Sequence, residues 1–61
     1  EDLARENYQT SLKIYEEVVK EAPMDYATVS ANFAEFLRSN DDAKAASSVE
    51  KRASKMLKKA H

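Results

Sequence analysis

The chain contains no glycine and a single proline, Pro23. Glycine is the usual occupant of left-handed helix caps and tight turns, so a chain without it reverses direction mainly at the ends of helices. Pro23 stands between two stretches of helical character, Ile14 to Ala22 before it and Asn32 to Leu37 after it. Such a chain is expected to be mostly helix, with Pro23 marking the place where one helix ends and the next begins.

Between Leu3 and Ala22 the residues Tyr8, Leu12, Tyr15, Val19 and Ala22 recur at spacings of four, three, four and three, and Ile14 and Val18 widen the stripe. That period predicts an amphipathic helix over about 2–22. Glu1, Asp2 and Glu6 suit a helix start, and Pro23 biases Ala22 away from helical angles. Asp25 is placed to cap a second helix over about 26–39, striped by Val29, Phe33, Phe36 and Leu37 with Tyr26 at its leading edge. The polar run Arg38 to Asp42 breaks the pattern, and Asp41 or Asp42 can cap a third helix over about 42–60. Its seam of Ala46, Val49, Ala53, Met56, Leu57 and Ala60 is mostly small, which permits close approach to a neighbour. The expected fold class is all-α, three antiparallel helices in a single module spanning 1–61.

Sixty-one residues make one small domain with a thin core. Only 16 residues are apolar and larger than alanine. Each contributes about 1.5–3 kcal/mol when fully buried, against roughly 1–2 kcal/mol per residue of backbone ordering, so stability is expected to be marginal without neighbours. The chain begins at Glu1 rather than Met and reads as a piece of a longer protein. No apolar run approaches a membrane span and no signal-peptide pattern occurs.

Ten Lys and Arg against eleven Asp and Glu give a net charge of -1, which argues against a dedicated nucleic-acid binder. The sum conceals a gradient, with acids gathered in residues 1–25 and Lys51, Arg52, Lys55, Lys58 and Lys59 near the C-terminus. Those five could contact a polyanion, yet a basic last turn also complements the helix dipole, and residues 38–61 hold no aromatic for base stacking.

Catalysis needs convergent titratable groups, and the chain has one histidine, His61, no cysteine, and serines without an adjacent base. No enzyme, metal site or cofactor is expected. A glycine-free chain has no phosphate-binding loop. The acid pairs Glu16-Glu17 and Asp41-Asp42 read as solvated or capping groups. Lys51-Arg52-Ala53-Ser54 is similar to a basophilic kinase site, a string common by chance. Tyr8, Tyr15, Tyr26, Phe33 and Phe36 have core spacing, with Tyr8 or Tyr26 expected at the edge, its hydroxyl in water.

Ser11, Leu12, Tyr15, Val18, Val19 and Pro23, followed by Asn32-Phe33-Ala34-Glu35-Phe36, Ala46 and Arg52-Ala53, give a pattern that resembles tetratricopeptide repeats and the related half-a-TPR (HAT) repeats. The likeness covers residues 8–57 as about one and a half repeats, a half before Pro23 and a whole one after it. The chain departs from the family in lacking a Trp at the opening aromatic position, in a longer loop from Pro23 to Phe33, in Glu50 replacing a customary aromatic, and in having no Pro after the third helix. An unrelated three-helix bundle satisfies the same element order.

The resemblance implies a non-enzymatic scaffold that binds a partner peptide or helix, in an intracellular setting, cytoplasmic or nuclear. In such arrays the first helices of successive repeats line a concave surface. Here that places Thr28, Ala31, Asn32, Glu35 and Arg38 on the binding side, roughly opposite Phe33 and Leu37. Some family members grip a partner's C-terminal carboxylate with Asn, Lys and Arg, for which Asn32 and Arg38 are the only candidates. The HAT likeness implies a place in an RNA-processing complex, held mainly by protein contacts. A self-associating structural module is the main alternative, and nucleic-acid contact through the C-terminal lysines a weaker one.

Overall fold

The computed structural model describes residues 2–60, so Glu1 and His61 lie outside the described residues. The described residues form three helices and no strand: α1 (Asp2–Glu17), α2 (Pro23–Ser39) and α3 (Ala43–Ala60). No helix among them is long and apolar enough to cross a membrane.

The first helix stops at Glu17 rather than near Ala22. Proline disfavours helical angles in the residue before it, which accounts for Ala22, but the ladder has already given way at Val18, whose N–H bonds the carbonyl of Tyr15 three residues back at 3.1 Å. The chain then turns through residues 18–21, where the carbonyl of Val18 accepts the N–H groups of Glu21 and Ala22 at 3.0 and 2.9 Å.

The second helix begins at Pro23, not at residue 26. Ala22 occupies the N-cap with φ -136° and ψ 60° and makes no side-chain capping bond. Proline at the first helical position has no N–H to satisfy and has its φ already set. Asp25 therefore is not the cap; it lies in the first turn, where its charge suits the positive end of the dipole.

Between α2 and α3 a left-handed residue is needed, and without glycine Asp41 takes the position at φ 61°. The N–H of Asp42 reaches the carbonyl of Leu37 at 2.8 Å and that of Asp41 reaches Arg38 at 3.1 Å, the paired bonds of a Schellman helix end. The Asn40 side chain donates to the Phe36 carbonyl at 2.8 Å. Asp42 opens α3 by accepting the N–H of Ala45 at 3.3 Å, as a capping aspartate does.

The central helix is α2, which packs more extensively on α3 than on α1. Phe33, Ala34, Leu37 and Ala46 form one core cluster, flanked by Tyr8, Leu12, Phe36, Ala45 and Val49. Val19, Tyr26 and Ala53 form a second, flanked by Leu12, Tyr15, Met56, Leu57 and Ala60. Tyr8 stacks on Phe33 with centroids 5.1 Å apart and planes 10° apart, and lies 5.3 Å from Phe36. Ala46 of α3, at 0% exposure, packs in the cluster with Phe33, Ala34 and Leu37 of α2.

Ile14 and Val18 do not widen the buried stripe of α1; they are 57% and 39% exposed. Only one side of α1 meets the rest of the molecule, the side bearing Tyr8, Leu12 and Tyr15.

Candidate functional site

The polar chemistry of the molecule centres on three arginines, each joined to an acid of another segment. Arg5 of α1 reaches Asp42, the cap of α3, at 3.3 Å. Arg52 of α3 grips Glu16 of α1, Nη2 lying 2.9 Å from Oε1 and Nε bonding Oε2. Arg38 of α2 holds Glu50 of α3 through two parallel bonds of 2.7 and 2.8 Å. The first two pairs clasp α1 to the α3 side of the molecule, and the third braces α2 against α3.

Glu16 is not a solvated acid as its position in the sequence suggests. Its side chain is only 13% exposed, and Oε2 also accepts the hydroxyl proton of Tyr26 at 3.1 Å. Tyr26 in turn is not at an edge but 1% exposed, its backbone carbonyl accepting the Ser30 hydroxyl at 2.8 Å. Glu16, Tyr26 and Arg52 thus join all three helices at one point.

The Arg52 hydrogen bond, aided by Tyr26, holds the Glu16 carboxyl below its ordinary range although burial pushes the other way. Burial, then the hydrogen bond to Glu16, pushes the Tyr26 hydroxyl up to about 12. A phenol so enclosed and so weakly acidic is a structural donor rather than a proton-transfer group. Arg38 likewise lowers Glu50, mainly through its hydrogen bonds.

The sequence signal for this junction was present but quiet. Glu16 adjoins Tyr15 and Arg52 adjoins Ala53, each charge flanking the apolar stripe of its own helix. Their partnership depends on how α1 and α3 meet, which no spacing within one helix reveals.

Thr28, Ala31, Asn32, Glu35 and Arg38 are all exposed along α2. Four of them face solvent, whereas the guanidinium of Arg38 is occupied by Glu50. Asn32 alone then remains of the two residues considered for gripping a carboxylate. Beside this row runs an open groove of ≈ 240 Å³, lined by Ala27, Ser30 and Ala31 of α2 and by Glu50, Ala53, Ser54 and Leu57 of α3.

Lys51, Lys55, Lys58 and Lys59 are exposed on α3, and Arg52, grouped with them by sequence, is turned to Glu16. Ser54 is exposed within the helix while Ala53 is buried. Among the described residues no group of three or more His, Cys, Asp or Glu side chains is placed to hold a metal ion. No protein-family model, curated protein or solved structure matches the chain.

Proposed function

We propose that the chain is a non-enzymatic protein-interaction module that receives a partner peptide or helix along the outer side of α2. The observation that carries this reading is the conjunction of the exposed row Thr28, Ala31, Asn32 and Glu35 with the adjoining groove, lined by small residues together with Leu57 and, at one side, Glu50. Polar side chains beside a groove with apolar surface at Ala27, Ala31, Ala53 and Leu57 offer orientation and burial together, as peptide sites do. On the helical-repeat reading, α1 is the second helix of one repeat and α2 with α3 the next. The more extensive packing of α2 on α3 than on α1 supports that phase.

Selection of a displayed random-peptide library against the protein tests the proposal. Selected peptides should weaken in affinity by roughly tenfold, about 1.4 kcal/mol, for Asn32→Ala combined with Glu35→Ala. Peptides indifferent to both changes contradict it.

Self-association is a second reading, favoured by the apolar residues left open on α1 and its turn. Leu3 is 69%, Ile14 57% and Val18 39% exposed. Light scattering across a concentration range separates the two readings, because a strict monomer removes the second and leaves the first untouched.

A further inference from the structure

Charge in this molecule is sorted by residue type. All three arginines, Arg5, Arg38 and Arg52, are committed to ion pairs within the fold, and among the described residues none of the seven lysines is. The guanidinium fork suits fixed bidentate pairing, whereas a lysine ammonium remains a hydrated point charge open to a newcomer.

Five lysines lie on α3: Lys44, Lys51, Lys55, Lys58 and Lys59. The one acid of that helix, Glu50, is held by Arg38. Glu6, Glu17, Glu21, Asp25, Glu35 and Asp41, exposed and outside those three pairs, belong to α1, α2 and the turns that follow them. A chain of net charge -1 therefore carries one helix face whose exposed lysines have no ion-pair partner among the described residues, the nearest free acid along the chain being Asp41 in the turn before it.

That face is ordered. Lys44, Ser48, Lys51, Lys55 and Lys58 step by four, three, four and three, a straight row about 21 Å long on a helix rising 1.5 Å per residue. Lys44, Lys51 and Lys58 each stand two residues before Ala46, Ala53 and Ala60, so the row points away from the packed seam. Between its side chains runs an open furrow of ≈ 600 Å³ lined by Ser48, Lys51, Arg52, Ser54, Lys55 and Lys58.

We infer that this row docks an acidic helical segment of another protein, one whose carboxylates recur at the same spacing of three and four. Nucleic acid fits less well, because α3 offers no aromatic for stacking and the molecule as a whole is not basic. An anionic membrane fits less well, because Val49, Met56 and Leu57 face the core and no bulky apolar residue lies in the row. A second copy of the chain fits less well too: Lys13 interrupts the acids of α1 between Glu6 and Glu17, and α2 offers only Asp25 and Glu35.

The test is a fluorescence-anisotropy titration of a labelled glutamate-rich helical peptide with the protein and two variants of equal charge. Lys51→Gln/Lys55→Gln should weaken binding roughly three- to tenfold, the effect of losing two exposed ion pairs. Lys13→Gln/Lys20→Gln, on α1 and its turn, should leave binding unchanged, as should Lys51→Arg/Lys55→Arg. Helical circular dichroism accompanies each variant, and if the first pair loses helicity the single change Lys51→Gln is read in its place. Binding should also fall as salt rises, since exposed pairs are screened. Absence of peptide binding by the unaltered protein, or equal loss in the two Gln pairs, overturns the inference. Tighter binding to a single-stranded oligonucleotide or to phosphatidylserine vesicles overturns it as well, and reassigns the row to that ligand.

Discussion

The hydroxyl of Tyr26 donates a 3.1 Å hydrogen bond to Glu16, an acid held at the same time by Arg52 of the third helix. A phenol at 1% exposure needs a partner for its O–H, and this carboxylate, itself mostly enclosed, needs a counter-charge. Each of the three residues supplies what another lacks, and they come from three different helices.

Replacing Tyr26 by Phe keeps the ring and removes only the donor. Glu16 retains Arg52, so the expected cost is about 0.5–1.5 kcal/mol, read from the urea midpoint. Tyr26→Ala removes the ring as well and should cost about 3–5 kcal/mol. Equal effects of the two changes would show that the hydroxyl matters no less than the ring, contrary to this packing.

The Glu16 carboxyl sits below its ordinary value of 4.5 because Arg52 and Tyr26 bond its charged form. The folded state thus prefers that form, and the resulting stability is full above 4.5 and lost as pH falls through the lower folded value. Urea midpoints followed from neutral pH downward should decline less steeply for Glu16→Gln than for the unaltered chain. Parallel curves would remove Glu16 as a source of acid sensitivity. At the alkaline end the sign reverses. Tyr26 is raised from 10.0 to about 12, so its contribution is full below pH 10 and is lost as pH climbs through 12.

Asp41 at φ 61° holds a conformation that glycine adopts without steric cost. Asp41→Gly should therefore raise stability by about 1 kcal/mol, a rise of several degrees in thermal midpoint for a chain of this size. A lowered midpoint would mean that the aspartate side chain contributes more than its backbone strain removes.

Ala46, 0% exposed and packed with Phe33, Ala34 and Leu37, is enclosed on all sides, so a larger side chain there must displace its neighbours. Ala46→Leu should cost about 1–3 kcal/mol by overpacking, whereas Ala43→Leu at an exposed position should lie within about 0.5 kcal/mol of neutral. Near-equal melting of the two variants would contradict the α2–α3 packing.

Much of the fold was legible in the residues. The spacing of Phe33, Leu37, Ala46 and Ala53 marked the buried seam, and the polar run ending at Asp42 marked the turn into α3. The end of α1 was not legible. Val18 to Ala22 continues the apolar spacing of the helix, and the switch at Val18 to a bond three residues back, onto Tyr15, has no marker in the sequence. Asp25 looked like a cap because acids favour helix starts, while Pro23 had already opened the helix without one. The pairing of Glu16 with Arg52 spans 36 residues and was beyond any local pattern. The α2 row Thr28, Ala31, Asn32 and Glu35 followed directly from helical period, since exposure opposite Phe33 needs no tertiary knowledge.

The most direct measurement of the proposed function is a nuclear magnetic resonance titration of the isotopically labelled protein with a peptide selected against it. The amide shifts that move should belong to Thr28, Ala31, Asn32 and Glu35, together with Ala53, Ser54 and Leu57 across the groove. Shifts confined instead to Ile14 on the outer side of α1 and Val18 in the turn after it would contradict binding along α2.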